Sequence, residues 1–336
     1  YLLVKSNAQN RIPIQKMQIG EVFIRDTVNH PQPSGMLFYR GFKKRGDNVM
    51  YLPLENKITL NQIKYNYDPE KTTILIDYDN ILNNDFHLEE LEHFKYHNPN
   101  SKIFLSAYLP FKTNEPETID NRLWEWSHYV GLVDGIFNTV ISFPYAEDLF
   151  TKIGLKYMPI PFAMDPYYDK KYYVKYQVYD AGFIGSTIEG NRFLDTWYEP
   201  LKDRKDILTY FGGFDGHPGV KFEDTNMLFQ QMKINLNPHY SHQFGIPSEK
   251  YKFGPIFDFN ARTFSLAGLG CFQLSNHPYM KKYFGDDIPV FDKNNFMELF
   301  EYYLKNEDER IKITNKIQEI TLKEHTMENR IQQLLS

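Results

Sequence analysis

The residue pattern richest in chemistry is Asn260-Ala261-Arg262-Thr263-Phe264-Ser265-Leu266-Ala267-Gly268-Leu269-Gly270. It sets a polar residue and an arginine in the first turn of an expected helix. Free N–H groups and the positive end of the helix dipole suit such a start to a diphosphate, and a guanidinium adds bidentate contacts to oxygen. The small residues Ala267, Gly268 and Gly270 would let the helix lie close on a sheet. On these residues alone, an ordinary amphipathic helix with a surface arginine fits equally well. Gly185-Ser186-Thr187 follows an apolar run, where a glycine lets backbone approach a phosphate, and Arg192 lies a few residues on. Gly212-Gly213 is a turn of a common kind. The segment Asn237-Pro238-His239-Tyr240-Ser241-His242 is dense in hydrogen-bonding and aromatic groups, as a sugar or base contact or as a structured loop.

In the first half, His30 sits in a proline-flanked loop, and Asp77 and Asp79 end an apolar run. These are the candidates for a base that deprotonates an acceptor hydroxyl, with Tyr108 as a possible wall of the cleft. Asp77-Tyr78-Asp79 also has the D-x-D form in which two carboxylates hold a divalent metal.

Short β-rich runs alternating with helical patterns must position these groups, the signature of parallel α/β sheets. Strands are expected at 21–24, 48–52, 73–77, 102–106 and 135–140, with helices near 36–45, 88–94 and 117–129. The prolines at 159, 161 and 166 point to a linker over 158–174 rather than to a regular element. A second series follows, with strands at 179–184, 207–211, 233–237 and 271–274 and helices at 191–201 and 260–269. The chain from 294 to 335 reads as helical. The expected units are thus 1–157, a linker 158–174, a second unit 175–315, and a terminal helix 316–336.

Bulk properties narrow the classes. A chain of 336 residues suits two cores, and no run reaches the roughly 20 apolar residues of a spanning helix. The first 17 residues do not read as a signal peptide, so a cytoplasmic location is expected, with peripheral membrane contact left open. The single cysteine, Cys271, excludes a disulfide framework or a multi-cysteine metal site, and its apolar flanks predict a buried, inert thiol. The net charge of −5 argues against a general nucleic-acid surface. Aromatics reach 16% with 25 Tyr, as sugar or base platforms or as codon bias.

Three segments carry a family resemblance. The run from Arg262 resembles the R-x-F-E-x-x-A-x-G element of CgeB-like glycosyltransferases, related to the "glycosyl transferases group 1" and of GT-B type. Asp180-Ala181-Gly182-Phe183-Ile184-Gly185-Ser186 with Asn191-Arg192 resembles the family's F-x-G-S…R element, and Lys233-Ile234-Asn235-Leu236-Asn237 its I-N-L-N strand. The resemblance covers roughly 131 to 336.

It implies an α/β fold of two Rossmann-like domains facing a cleft, with a C-terminal helix crossing back to the N-terminal one. It also implies transfer of a sugar from a UDP- or GDP-linked donor to a glycan, glycoprotein or lipid-linked acceptor, without metal and with retention. The donor contacts expected in the second unit are Gly185, Ser186, Gly213, Asn237, His239, Tyr240, Asp258, Asn260 and Ser265, with Arg262 and Arg192 on the diphosphate; outside the span of the resemblance, His30 or Asp79 stays the acceptor-side candidate. The family's ribose-binding glutamate is replaced by Ser265, for which Asp258 is a candidate substitute. Two other readings stay open: a metal-dependent GT-A enzyme using Asp77 and Asp79, and a non-catalytic carbohydrate-binding protein.

Overall fold

The computed structural model describes residues 21–26, 34–53, 72–77, 88–106, 116–138, 146–165, 169, 171–174, 176–185, 194–213, 217–239 and 259–336. The first unit contains β1 (Glu21–Asp26), α1 (Ser34–Arg45), β2 (Asn48–Pro53), β3 (Thr72–Asp77), α2 (Leu88–His97), β4 (Lys102–Ser106), α3 (Pro116–Ser127), β5 (Gly135–Asn138), α4 (Ala146–Lys152) and β6 (Tyr157–Pro159). Its strands form one parallel sheet in the order β2-β1-β3-β4-β5-β6.

Alternation along the strands builds three layers, because successive side chains leave a strand on opposite faces. Ile74, Ile103, Leu105 and Ile136 pack with Leu91, Phe94, Trp126 and Phe150 on one face. Leu75, Phe104 and Phe137 pack with Leu37, Phe38 and Phe42 of α1 on the other. Lys43, Lys44 and Arg45 fill the last turn of α1, where cations complement the helix dipole.

The second unit holds β7 (Tyr179–Ile184), α5 (Leu194–Trp197), β8 (Thr209–Gly212), α6 (Phe222–Gln230), β9 (Met232–Asn237), α7 (Ala261–Leu269), β10 (Gln273–Ser275), α8 (Met280–Phe284), α9 (Phe296–Lys305) and α10 (Glu307–Glu324). Its parallel sheet runs β10-β9-β7-β8. Phe183, Ile234, Leu236, Phe264 and Leu274 join Trp197, Phe296 and Phe300 in its main core. The last helix, α11 (Met327–Leu335), buries Met327, Ile331 and Leu334 in the first unit's core beside α1. Gly41 permits this approach, since a Cβ there would lie 2.6 Å from Ile331 Cδ1.

Two expectations shift. The start of the expected linker, Met158 and Pro159, belongs to the strand Tyr157–Pro159, because it takes the edge of the sheet, where a proline's missing N–H is tolerated. The return crossing comes at His325-Thr326 rather than near 316. The helix α10 runs unbroken to Glu324 against α7, and Thr326 starts a new helix through a reciprocal capping box with Asn329. The outgoing and returning chains lie side by side there: Met164 N donates to His325 O at 2.9 Å, and Met327 N donates to Met164 O at 3.2 Å. The short helices α4, α6 and α8 were not expected from the sequence.

Candidate active site

In the second sheet, β7 is flanked by β8 on one side and β9 on the other. The strand order therefore reverses between β7 and β9, and open α/β sheets bind ligands outside the carboxyl ends of the strands at that point. Arg262 lies there. Its Nη1 donates to the carbonyl of Ile184, the last residue of β7, and its Nε donates to Asn237 Oδ1, at the end of β9, at 3.1 Å. Its guanidinium carbon stands 4.5 Å from the Phe183 ring centroid, a cation–π seat. A carbonyl and an amide oxygen orient the guanidinium without themselves neutralising its charge.

The helix that carries Arg262 begins with a built cap. The Asn260 side chain accepts from Thr263 N at 3.0 Å, satisfying one of the donors a helix start leaves over. Its Nδ2 donates to Asn237 Oδ1 at 3.0 Å. Asn237 is fully buried, and its Nδ2 donates to Thr263 Oγ1 and to Gln273 Oε1 at 2.9 and 2.8 Å. Asn237 thus couples the end of β9 to the first turn of α7 and to β10. At the other end, Gly270 takes φ 73° and closes α7 with N–H bonds back to Ala267 O and Leu266 O.

Two glycines complete the rim. A Cβ on Gly185 would stand 2.5 Å from Arg262 Nη1, so the guanidinium occupies space that any other residue would fill. Gly213 has φ +87° and lies against the backbone of Gly185, whose oxygen would be 3.1 Å from an added Cβ. Gly185 N also donates to Gly212 O at 3.1 Å. Gly185, Gly213, Asn237, Asn260 and Arg262 therefore come together at the ends of β7, β8 and β9.

His239 and Ser265 are placed differently. His239 is 2% exposed; its Nε2 bonds Thr263 Oγ1 at 2.9 Å and its Nδ1 bonds Ser275 Oγ at 3.2 Å. Thr263 Oγ1 donates to Asn260 Oδ1, which assigns the Nε2–H tautomer to His239 and leaves Nδ1 to accept from Ser275. With both ring nitrogens engaged among buried side chains, His239 ties the end of β9 to α7 and β10. Ser265 is also buried, and it faces the carboxyl of Asp169 in the linker, whose pKa it draws down, a neighbour that sequence spacing could not reveal. Thr263, Gln273, Ser275, Asn276 and Phe183 were likewise missed, since each reads locally as an ordinary core or turn residue.

Ser186, Arg192, Tyr240 and Asp258, and on the acceptor side His30, Asp79 and Tyr108, lie outside the described residues. The chain reaches His30 after β1 and Asp79 after β3, the two strands that flank the reversal point of the first sheet. Among the described residues, no group of three or more His, Cys, Asp or Glu side chains is placed to hold a metal, and no helix is long and apolar enough to cross a membrane.

Residues 187–336 match the family model described as glycosyl transferase-like. No curated protein sequence matches the chain. Among solved structures, the chain is similar to the N-terminal domain of Candida albicans trehalose-6-phosphate phosphatase, with TM-score 0.60, 10% identity and 96% of each chain covered. Sucrose-phosphate synthase from Thermosynechococcus elongatus aligns with TM-score 0.54 and 9% identity over 94% of this chain and 97% of that one. A variant of S. aureus TarM, solved with Fondaparinux, alpha-GlcNAc-glycerol and UDP, aligns with TM-score 0.52 and 8% identity over 79% of this chain but only 55% of its own. The chain therefore has the GT-B fold of two Rossmann-like units, and from residue 187 onward it carries the sequence pattern of the glycosyl transferase-like family.

Proposed function

We propose that the protein is a glycosyltransferase that takes a sugar from a nucleotide-diphosphate donor, UDP- or GDP-linked, held by the second unit, and passes it to a glycan, glycoprotein or lipid-linked acceptor at the first. The observation that carries this reading is Arg262 spanning the ends of β7 and β9 at the first turn of α7. The family-model match over 187–336 adds support.

Breaking the bond between the anomeric carbon and the donor phosphate leaves negative charge on the departing diphosphate. Fixed donors aimed at that charge lower the barrier without reorganising during the reaction. Arg262 and the first-turn N–H groups of α7 supply such donors, with Arg192 and the Gly185 backbone adding to them. With retention, the enzyme needs chiefly this stabilisation and a positioned acceptor hydroxyl. With inversion, His30 or Asp79 would take the acceptor proton. Closure about the paired crossings at 160–165 and 325–327 would bring acceptor to donor.

The test is a thermal-shift panel of UDP-, GDP- and TDP-sugars, repeated with EDTA and followed by a transfer assay with the donor that binds. A shift with one nucleotide class that survives EDTA, together with turnover, is expected. Loss of binding in EDTA would favour a metal site at Asp77 and Asp79. Tight glycan binding with no turnover for any donor would leave a carbohydrate-binding protein instead.

A further inference from the structure

Where the linker enters the second unit, three elements meet in a buried polar cluster. From α1 of the first unit, Arg40 Nε donates to Asp165 Oδ2 at 2.5 Å, with side-chain exposures of 11% and 7%. Within the linker, Asp165 N donates to Asp169 Oδ2 and Asp169 N donates to Asp165 O, each at 2.7 Å. From α7 of the second unit, the Ser265 side chain faces the Asp169 carboxyl and draws its pKa down. Next to these, Met164 of the linker covers Gly268 of α7, where an added Cβ would lie 2.5 Å from its side chain.

The cluster is a continuous path from one unit to the other through two carboxyls and one guanidinium. With both carboxyls ionised, the described groups set two negative charges against one guanidinium away from water, which is costly. With one of them neutral, the Arg40–Asp165 pair is balanced and the second carboxyl keeps its hydrogen bonds. We propose that Asp169 is a proton-operated latch on the hinge: its neutral acid seats the linker between α1 and α7, and its carboxylate releases it.

Burial pushes the Asp169 carboxyl from its ordinary 3.8 up to about 7, and the charge of Asp165 raises it further, while Ser265, the Asp165 N–H and Arg40 pull the other way. Among the described residues, the charged and titratable groups around it are Arg40 from α1, Asp165 and Lys171 from the linker and Cys271 just after α7. On the linker's far side, Arg330 donates to the carbonyls of Pro161 and Phe162 and bonds the His325 ring, whose other nitrogen bonds Tyr283 O, while the His325 carbonyl accepts from Met164 N. In the seated linker Asp169 keeps its proton up to about 7, whereas in a released linker it ionises near 3.8. Release therefore becomes easier as pH rises from 3.8 toward 7, by up to about tenfold per pH unit, and levels off above. His325 acts in the opposite sense, because burial holds its imidazole below the ordinary value and so disfavours the seated state in acid.

This latch does not rest on the glycosyltransferase reading, and its test needs no substrate. Amide hydrogen exchange across 160–169 and at Met327 is measured from pH 5 to 8.5, corrected for intrinsic exchange, in wild type, Asp169→Asn and Asp169→Ala. The wild-type opening equilibrium should climb toward pH 7 and then flatten. Asp169→Asn, neutral and still able to bond Ser265 and the Asp165 N–H, should stay as protected at pH 8 as wild type at pH 5.5. Asp169→Ala should be loose at every pH. Parallel profiles in wild type and Asp169→Asn would overturn the latch, as would an Asn variant looser than wild type at pH 8. If the Asn variant fails to fold, a flat wild-type profile overturns it alone.

Discussion

Among the described residues, Arg262 is held at Ile184 and Asn237 and stacked on Phe183, so its position depends on groups from two separate strands, β7 and β9. Arg262→Ala should cut transfer by about 10²–10³-fold, the scale of losing one preorganised charge-stabilising donor, with far-UV circular dichroism unchanged. Arg262→Lys should recover only part of that loss, because a point charge cannot reach both Ile184 O and Asn237 Oδ1. Initial rates at saturating donor check both. His239→Ala should act on stability instead, costing about 2 kcal/mol for two buried hydrogen bonds in chemical denaturation. Unchanged stability with lost donor binding would return His239 to the ligand contacts. Cys271 is buried, with its thiol pushed up to about 12 by desolvation, so native protein should resist alkylation at pH 8 and react only on unfolding.

At the scale of elements, α7 was the most legible piece of the chain. Its cap, its apolar face and its terminal glycine are local features that the order Asn260…Gly270 displays directly. Asn260→Ala should destabilise by about 1 kcal/mol through the lost cap, and further if the bond to Asn237 is also missed. Gly270→Ala should cost about 1–2 kcal/mol, since φ 73° disfavours a Cβ, and the added carbon would meet Gln318 Nε2 at 2.9 Å. Melting curves of the two variants test this. β6 was illegible for the opposite reason: Pro159 argues against a strand until the sheet order shows that β6 is an edge. His239 misled in the same way, as its polar, loop-like surroundings in sequence become core once β9, α7 and β10 close around it.

For the whole molecule, the two crossings are the joint between units, and Arg330 fastens them. It is 5% exposed, donates to Pro161 O and Phe162 O, and bonds His325. Burial pushes its pKa down to about 10, still cationic at neutral pH. Arg330→Met should lose those bonds together with the guanidinium seated 5.5 Å from the Phe264 ring centroid, costing about 2–3 kcal/mol. Faster proteolysis within 160–165 is expected alongside a lower melting temperature. Removing residues 325–336 should destabilise the first unit more than the second, since α11 fills the core beside α1; unit-resolved hydrogen exchange would show it.

What the sequence determined by itself is what short-range chemistry and periodicity encode. That covers the alternation of strands and helices, the helix start that carries Asn260 and Arg262, and the glycine turns at the ends of strands. What only the tertiary structure decided is which of the polar residues face each other. Arg262 spans β7 and β9 because the strand order reverses there, and strand order is set by long-range packing. Ser265 and Asp169, nearly a hundred positions apart, meet because the linker is pressed onto α7 by the returning chain at His325. No local pattern carries that contact, since it arises from the balance of buried charge and packed surface across the whole fold.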